Sequence, residues 1–112
     1  MELPVAVGDH YELVKWLVGR TRGYPKALRF SLGERTVNLA LEVLEHLLEA
    51  TYSRSKDEPL RRANLGLEKL RFLVRLAKDE QCVSIKQYEF ASKSITDIGK
   101  QIGGWRKQAQ GS

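Results

Sequence analysis

The stretch EPLRRANLGLEKLRFLVRLAKDE, residues 58–80, decides the fold that we expect for this chain. Its apolar side chains recur every three or four residues and form a stripe of Leu60, Ala63, Leu67, Leu70, Val74 and Ala77. This spacing places them on one face of an α-helix. Pro59 stands just inside the helix start near Asp57 and Glu58, where its missing N–H leaves no hydrogen bond unmade. The stretch is therefore predicted to be a long amphipathic helix with one buried face.

Three further helices are predicted, over residues 9–23, 31–54 and 84–108. Each begins at a sequence that fits a capping box, namely Asp9 with Glu12, Ser31 with Glu34, and Ser84 with Gln87. No segment shows the period-two alternation of a strand, and short links join the last three helices. We therefore predict one all-α domain, 1–112, folded as an up-down antiparallel four-helix bundle.

The core of the bundle is predicted from the apolar stripes of these helices. The first offers Tyr11, Val14, Leu17 and Val18. The second offers Val37, Leu41, Leu44 and Leu48, flanked by Ala40 and Leu47. The last offers Tyr88, Ala91, Ile95, Ile98, Ile102 and Trp105. Gly99, Gly103 and Gly104 interrupt the last helix at about 1 kcal/mol each relative to alanine, so close packing against another backbone is expected there.

A second apolar face is predicted on the third helix. Leu65, Phe72 and Leu76 fall within ~40° of one another, on the side opposite the main stripe. A helix that is apolar on two faces buries both, so we expect this face to close a homo-oligomer. The alternative is that these are scattered exposed side chains, which are common on soluble proteins.

Composition limits the class of protein. Lys and Arg number 19 against 14 Asp and Glu, a net charge of +5, and this balance favours acidic partners such as nucleic acid. No apolar run approaches the ~20 residues that span a bilayer, and the N-terminus lacks a secretory pattern. Cys82 is the only cysteine, which excludes an internal disulfide and fits a reducing compartment. We expect a cytoplasmic protein without a membrane partner.

Catalytic and metal sites are not expected. His10 and His46 lie on different helices without further ligands at zinc spacing, and both are interpreted as polar helix residues or cap partners. Glu42, Glu45 and Glu49 share one face, but the Glu-x-x-His motifs of a di-iron bundle are missing. This acidic row is interpreted as a solvated face or a docking surface for basic groups. We therefore expect no enzyme, no cofactor, no metal and no small-molecule substrate.

Two cationic rows are the strongest functional signal. The first, here called the lysine row, consists of Lys86, Lys93, Lys100 and Lys107. Heptad spacing drifts by only ~20° per step on a helix, so the row is nearly straight and about 30 Å long. The second, on the third helix, consists of Arg61, Arg71, Arg75 and Lys78.

These rows are predicted to track a nucleic-acid backbone, without aromatic side chains that would stack on bases. Residues 81–112 hold five basic and two acidic side chains, which favours a binding surface over the alternative of a solvated, salt-bridged face. The predicted binding residues are Arg71, Arg75, Lys78, Lys86, Lys93, Lys100, Arg106 and Lys107.

Several motifs, taken in order, resemble one known family. They are FSLGER at 30–35, the aliphatic run at 39–50, LEKLRFLVRLAK at 67–78, QYE at 87–89, and Ile98-Gly99 followed by Gly103-Gly104-Trp105. Over about residues 10–107 the chain resembles the accessory variability determinant proteins of diversity-generating retroelements. These are related to four-helix-bundle proteins encoded by ribosomal-RNA intervening sequences.

The resemblance implies properties that the residues alone do not. Members of that family form four-helix bundles that assemble into a pentameric, barrel-like ring with a basic surface. They bind the reverse transcriptase of the retroelement and nucleic acid, RNA or DNA, and support mutagenic copying of a template RNA into cDNA. Arg71 and Arg75 look like the family's paired arginines, so the resemblance assigns them a partner-binding role. The lysine row matches no family motif and stands on its spacing alone.

The sequence thus predicts a non-catalytic accessory protein that gathers reverse transcriptase and template through basic surfaces. The rival hypothesis is a helical adaptor that docks a protein partner on Leu65, Phe72 and Leu76 and binds no nucleic acid.

Overall fold

The computed structural model describes residues 2–111, and these residues form four long helices in a bundle of 47 × 22 × 22 Å. The helices are α1 (Val5–Thr21), α2 (Glu34–Tyr52), α3 (Asp57–Asp79) and α4 (Ile85–Gln110). A helical turn, Lys26–Leu28, and a π-helical turn, Arg29–Gly33, lead directly into α2. Each helix packs against its neighbours in the chain, and α1 also packs against α4. With no strand among the described residues, the predicted all-α four-helix bundle is confirmed.

The stripes predicted for α3 and α4 form the centre of the core. Every member of the α3 stripe is at most 1% exposed, and so are Ala91, Ile95, Ile98 and Ile102 of α4. Tyr88 and Trp105, at the ends of the α4 stripe, are half-buried against this core. Helical periodicity therefore located both buried faces correctly.

The buried face of α2 is rotated from the prediction. Its fully buried side chains are Ala40, Val43, Leu47 and Ala50. Leu41 is 40% exposed, and Val37, Leu44 and Leu48 are only half-buried. α2 packs between α1 and α3, and its line of deepest burial runs through Ala40 and Leu47, which were predicted only to flank the stripe. Counting large aliphatic residues therefore shifted the predicted face.

A histidine takes the core position that was predicted for a tyrosine on α1. Tyr11 is 51% exposed, whereas His10 is fully buried. The His10 Nε2–H donates to the carbonyl oxygen of Ala40 at 2.8 Å. This bond satisfies the single N–H of the neutral ring, which makes burial tolerable. His10 is a polar helix residue, as interpreted from the sequence, but it is buried in the core and caps no helix end.

Two of the predicted helix starts are also wrong. α1 begins four residues early, after Pro4, and Asp9 lies within it and accepts a hydrogen bond from Gln101 Nε2 at 2.8 Å. Ser31 lies inside the π-helical turn, because the helical chain already begins after Pro25. A capping sequence marks where a helix can start, but nothing upstream stops these helices from extending back to a proline.

The capping box at the start of α4 is confirmed. The Gln87 N–H donates to Ser84 Oγ at 3.0 Å, and the Ser84 N–H donates to Gln87 Oε1 at 2.9 Å. At the end of α2 an unpredicted cap closes the helix, where Lys56 Nζ donates to the carbonyl oxygens of Ala50 and Ser53 at 2.7 Å each.

α3 approaches α2 closely at Gly66. A Cβ on Gly66 would lie 2.5 Å from Val43 Cγ2 on α2. By contrast, a Cβ on Gly103 or Gly104 would meet nothing within 4 Å, and one on Gly99 would meet only a side-chain oxygen at 3.7 Å. The close packing expected at these three α4 glycines is therefore absent from the described protomer, and it occurs at Gly66 instead.

A second small core anchors the connection between α1 and α2. Tyr24 is 1% exposed and Leu32 is 8% exposed, and both pack with Ala77 and Val83 near the turn between α3 and α4. The connection is thereby held against the end of the bundle at which α3 finishes and α4 begins.

We predict that alanine substitutions at two helix-interior glycines change the stability of the fold in opposite directions. Gly104→Ala should stabilise the fold by about 1 kcal/mol, because it removes a helix-interior glycine and meets open space. Gly66→Ala gains the same propensity but overpacks against Val43, a branched side chain that cannot move aside, and overpacking costs ~1–3 kcal/mol. Chemical denaturation should give a higher midpoint for Gly104→Ala and a lower one for Gly66→Ala. An equal increase of the denaturation midpoint in both variants would contradict the close approach of Val43 to Gly66.

We also predict that stability falls in mild acid because of His10. Burial lowers the pKa of His10, opposed by its bond to Ala40, and the buried Nδ1 has no partner among the described residues. The unfolded chain therefore binds this proton more readily than the folded chain. The stability that neutral His10 contributes is fully present above pH ~6.5, the pKa of histidine in the unfolded chain. It is lost as the pH falls from there towards the lower pKa of His10 in the folded chain.

The thermal midpoint should fall between about pH 7 and pH 5 in the wild type. His10→Leu should lose this slope even if it is less stable at neutral pH, whereas His46→Leu should keep it. An unchanged slope in His10→Leu would rule out His10 as its source.

Candidate nucleic-acid and partner interface

The lysine row stands on the side of α4 that faces away from the core. Lys93 follows the fully buried Ala91 by two residues, a rotation of about 200°. All four side chains of the row are exposed. Since α4 is an unbroken helix from Ile85 to Gln110, the row is a continuous outward ridge of positive charge.

No carboxylate neutralises this row within residues 2–111. None of its four ammonium groups makes an ion pair there, although the exposed acids Glu89 and Asp97 lie on the same helix. A salt-bridged face, the alternative raised from the sequence, is not what these described residues show. The row is therefore free to attract anions.

The two arginines predicted as a pair on α3 have different surroundings. The Arg71 guanidinium lies in the seam between α3 and α4, where Nη2 donates to Thr96 Oγ1 at 3.1 Å and Nε lies 3.5 Å from Glu68 Oε2. Arg75 is exposed, 5.9 Å from the centre of the Phe72 ring, and makes no ion pair within the described chain. Arg75 is thus the more available of the two cations.

Other predicted cations of this surface have partners of their own. Lys78 Nζ lies 4.6 Å from the centre of the Tyr88 ring and 3.6 Å from Asp79 Oδ1. The Arg106 guanidinium contacts Asp57 Oδ1 at 2.9 Å and ties the end of α4 to the start of α3. Arg106 therefore has a structural contact in addition to the binding role predicted for it.

The second apolar face of α3 is exposed in the protomer. Leu65, Phe72 and Leu76 are 49%, 64% and 47% exposed. A groove between α2 and α3 runs beside them, and Arg35 and Lys69 contribute to its lining. The protomer therefore leaves an aromatic and two aliphatic side chains uncovered next to basic groups.

A further set of cations was missed by the sequence reasoning. We call it the basic cluster, and it consists of Arg20, Arg22, Lys26, Arg29 and Arg35. Residues 20–35 hold five basic side chains and one acidic side chain, a denser charge than that of the last helix. All five are exposed, and none makes an ion pair within residues 2–111. A charge count over short windows would have found the cluster, whereas the search for helical rows did not, because the chain turns there.

The described residues hold no cluster of metal ligands. No three His, Cys, Asp or Glu side chains of residues 2–111 come together as metal ligands. Burial and the nearby Glu80 raise the pKa of the Cys82 thiol, which keeps it protonated. Burial, assisted by Cys82, raises the pKa of Tyr24 to about 12. Among residues 2–111, none of the helices combines the length and the apolar composition of a membrane span.

Comparison with known proteins agrees with the resemblance drawn from the motifs. A comparison with curated proteins gives no match to the chain. The model of one protein family, described as bAvd-like, matches residues 5–109 and therefore spans all four helices except the last residue of α4. Avd proteins are accessory, non-catalytic proteins of diversity-generating retroelements. The chain belongs to the bAvd-like family.

Proposed function

We propose that this protein binds the reverse transcriptase of a diversity-generating retroelement, together with template RNA or cDNA, and so supports mutagenic reverse transcription. The observation that carries the proposal is the uncompensated lysine row on the outward face of α4. Family membership supplies the biological setting. The protein contributes position and charge, and the chemistry belongs to the transcriptase.

Counterion release explains how the lysine row can bind nucleic acid. Phosphates condense cations around the polymer, and a protein ammonium that replaces one of them releases it to solution. A row of about 30 Å matches roughly nine base pairs of duplex at 3.4 Å each. Such binding follows the backbone, tolerates any sequence and weakens steeply with salt. These properties suit an accessory protein whose nucleic-acid partner, the mutagenised cDNA, varies in sequence.

The transcriptase contact is assigned to the α3 side. The resemblance assigns partner binding to Arg71 and Arg75, and Arg75 is exposed and unpaired among the described residues. Arg71 instead stiffens the α3–α4 seam through Thr96, so its role is to hold the surface around Arg75 in place. A cation on a rigid helix loses little freedom on binding, which favours affinity.

Self-association is the second part of the proposal. Leu65, Phe72 and Leu76 form an uncovered apolar face on a protomer of only 12.8 kDa. Burial of such side chains drives subunit association, and a head-to-tail contact that closes by rotation makes a ring. The family resemblance suggests five subunits. A ring would bring several lysine rows into one particle.

The adaptor hypothesis uses the same apolar face for a different purpose. In that case Leu65, Phe72 and Leu76 dock a foreign protein, and the lysine row serves only solubility. The two hypotheses differ in nucleic-acid binding and in the oligomeric state of the purified chain.

We predict that neutralising the lysine row reduces the salt dependence of nucleic-acid binding. In Lys93→Gln/Lys100→Gln/Lys107→Gln, the slope of log affinity against log salt on a duplex should fall by up to ~0.9 for each lost contact. A matched variant, Lys15→Gln/Arg54→Gln/Arg62→Gln, removes the same charge outside both cationic rows and should keep the slope. Both should still co-purify with the transcriptase. Equal slopes in the two variants, or no binding by the wild type, would favour the adaptor.

We further predict that the purified chain is an oligomer closed by the second apolar face. Light scattering should give a mass several times 12.8 kDa. Phe72→Lys should reduce that mass because it places a charge in the apolar contact, whereas Tyr52→Lys, at another exposed aromatic, should not. Circular dichroism should show helical content unchanged in both. A monomeric wild type would count against assembly through this face.

A further inference from the structure

The basic cluster lies on a compact and ordered part of the chain. The Gly23 N–H donates to the Arg20 carbonyl oxygen at 3.0 Å, so the chain turns immediately after α1. The N–H groups of Leu28 and Arg29 both donate to the Pro25 carbonyl oxygen, at 2.8 and 2.9 Å. These two successive turns gather the cations of the cluster at one end of the bundle.

Buried residues hold this segment in position. Tyr24 and Leu32 insert into the second small core against Ala77 and Val83. The Arg29 Nη2 also donates to the carbonyl oxygen of Tyr24 at 3.4 Å. The surface is therefore pre-organised, and a ligand that binds there does not have to order a flexible loop.

An exposed aromatic ring stands among these cations. Phe30 is 69% exposed and makes no ring contact within the described chain. Lys26 precedes Phe30 by four residues, about one helical turn, so this cation and the ring lie on the same side of the segment. The exposed ring beside the lysine row, Phe90, differs from Phe30 because it packs on Trp16 with the ring centres 5.1 Å apart.

An exposed ring on a segment that also carries cations without ion pairs suits unstacked nucleotides. Bases that are not in a duplex expose their faces and stack on aromatic side chains, while nearby cations hold the phosphates. In a duplex the bases are stacked on one another, so no base face is available to the Phe30 ring. A docked protein would need a wider apolar surface, but the exposed positions around Phe30 carry small side chains, Ala27 and Ser31, or charged ones, including Glu34 one turn further on.

We propose that the connection between α1 and α2 is a second nucleic-acid site, specific for single strands, in which Phe30 stacks on a base and the basic cluster binds the adjoining phosphates. This site goes beyond the proposed function, because it shares no residue with the lysine row and requires neither the transcriptase nor the ring. It also adds a property that the row lacks, namely preference for unpaired RNA or DNA over duplex.

The test uses Phe30→Trp as a reporter, with the wild-type emission of Trp16 and Trp105 as background. The lysine-row variant Lys93→Gln/Lys100→Gln/Lys107→Gln serves as the host, so that binding by the row does not compete. A single-stranded oligothymidylate of about 16 nucleotides should quench the new tryptophan. Duplex DNA and polyglutamate should not, because neither presents an unstacked base.

Two substitutions with matched controls give the affinity side of the test. Phe30→Ala should weaken oligothymidylate binding about tenfold, whereas Tyr52→Ala, which removes a ring that is 71% exposed at the other end of the bundle, should not. Arg22→Gln/Lys26→Gln should lower the salt slope on single strands by up to ~1.4, and Lys15→Gln/Arg54→Gln should leave it unchanged.

The site is overturned if Phe30→Ala binds oligothymidylate as tightly as its parent. It is also overturned if polyglutamate quenches the reporter equally, since the surface would then be a dock for any acidic chain. If the lysine-row variant loses duplex binding while the reporter still responds to oligothymidylate, this site is supported. It is then also independent of the lysine row. If the lysine-row variant bound duplex as the wild type does while the reporter still responded, only the proposed role of the lysine row would be overturned.

Discussion

The packing of the α3 stripe between α2 and α4 is the constraint on which the rest of the structure depends. Because these six side chains are at most 1% exposed, the rotation of α3 about its own axis is settled. One flank then meets α2 at Gly66 and Val43, and the other brings Arg71 to Thr96 on α4. What remains points outward, and it includes Phe72 and Arg75. Burial thereby sorts the charged and apolar residues of one helix into contacts and exposed surface.

The distribution of charge follows from the same geometry. Cations at helix ends and seams have local partners, as in the contacts of Arg106 with Asp57 and of Arg62 with Glu49. The cations without ion pairs in the described chain lie mainly along the outward side of α4 and at the turn between α1 and α2. The net charge of +5 is therefore concentrated on two surfaces. Positive charge that is concentrated on two surfaces attracts polyanions more strongly than the same charge spread evenly would.

Membership of the bAvd-like family fits a protein that works by presenting surfaces. The bundle is a stiff rod, and Lys56 and the capping box of α4 close its helix ends without ligands. In our proposal the lysine row follows a phosphate backbone, Arg75 and its neighbours meet the transcriptase, and the α1–α2 connection holds unpaired nucleotides. Each role needs rigid placement of a few side chains, and a helical bundle supplies that.

Periodicity in the sequence was sufficient to predict the helices, their order, the buried faces of α3 and α4, and the alignment of the lysine row, because these depend on the spacing of residues along a single helix. Tertiary structure alone decided which helix start is used, that His10 and not Tyr11 enters the core, and that Gly66 and not Gly103 lies at the close approach. It also decided that Arg71 is engaged while Arg75 is exposed, and that the basic cluster gathers at a turn. These outcomes depend on the distance to a neighbouring helix, and no pattern within one segment contains that distance.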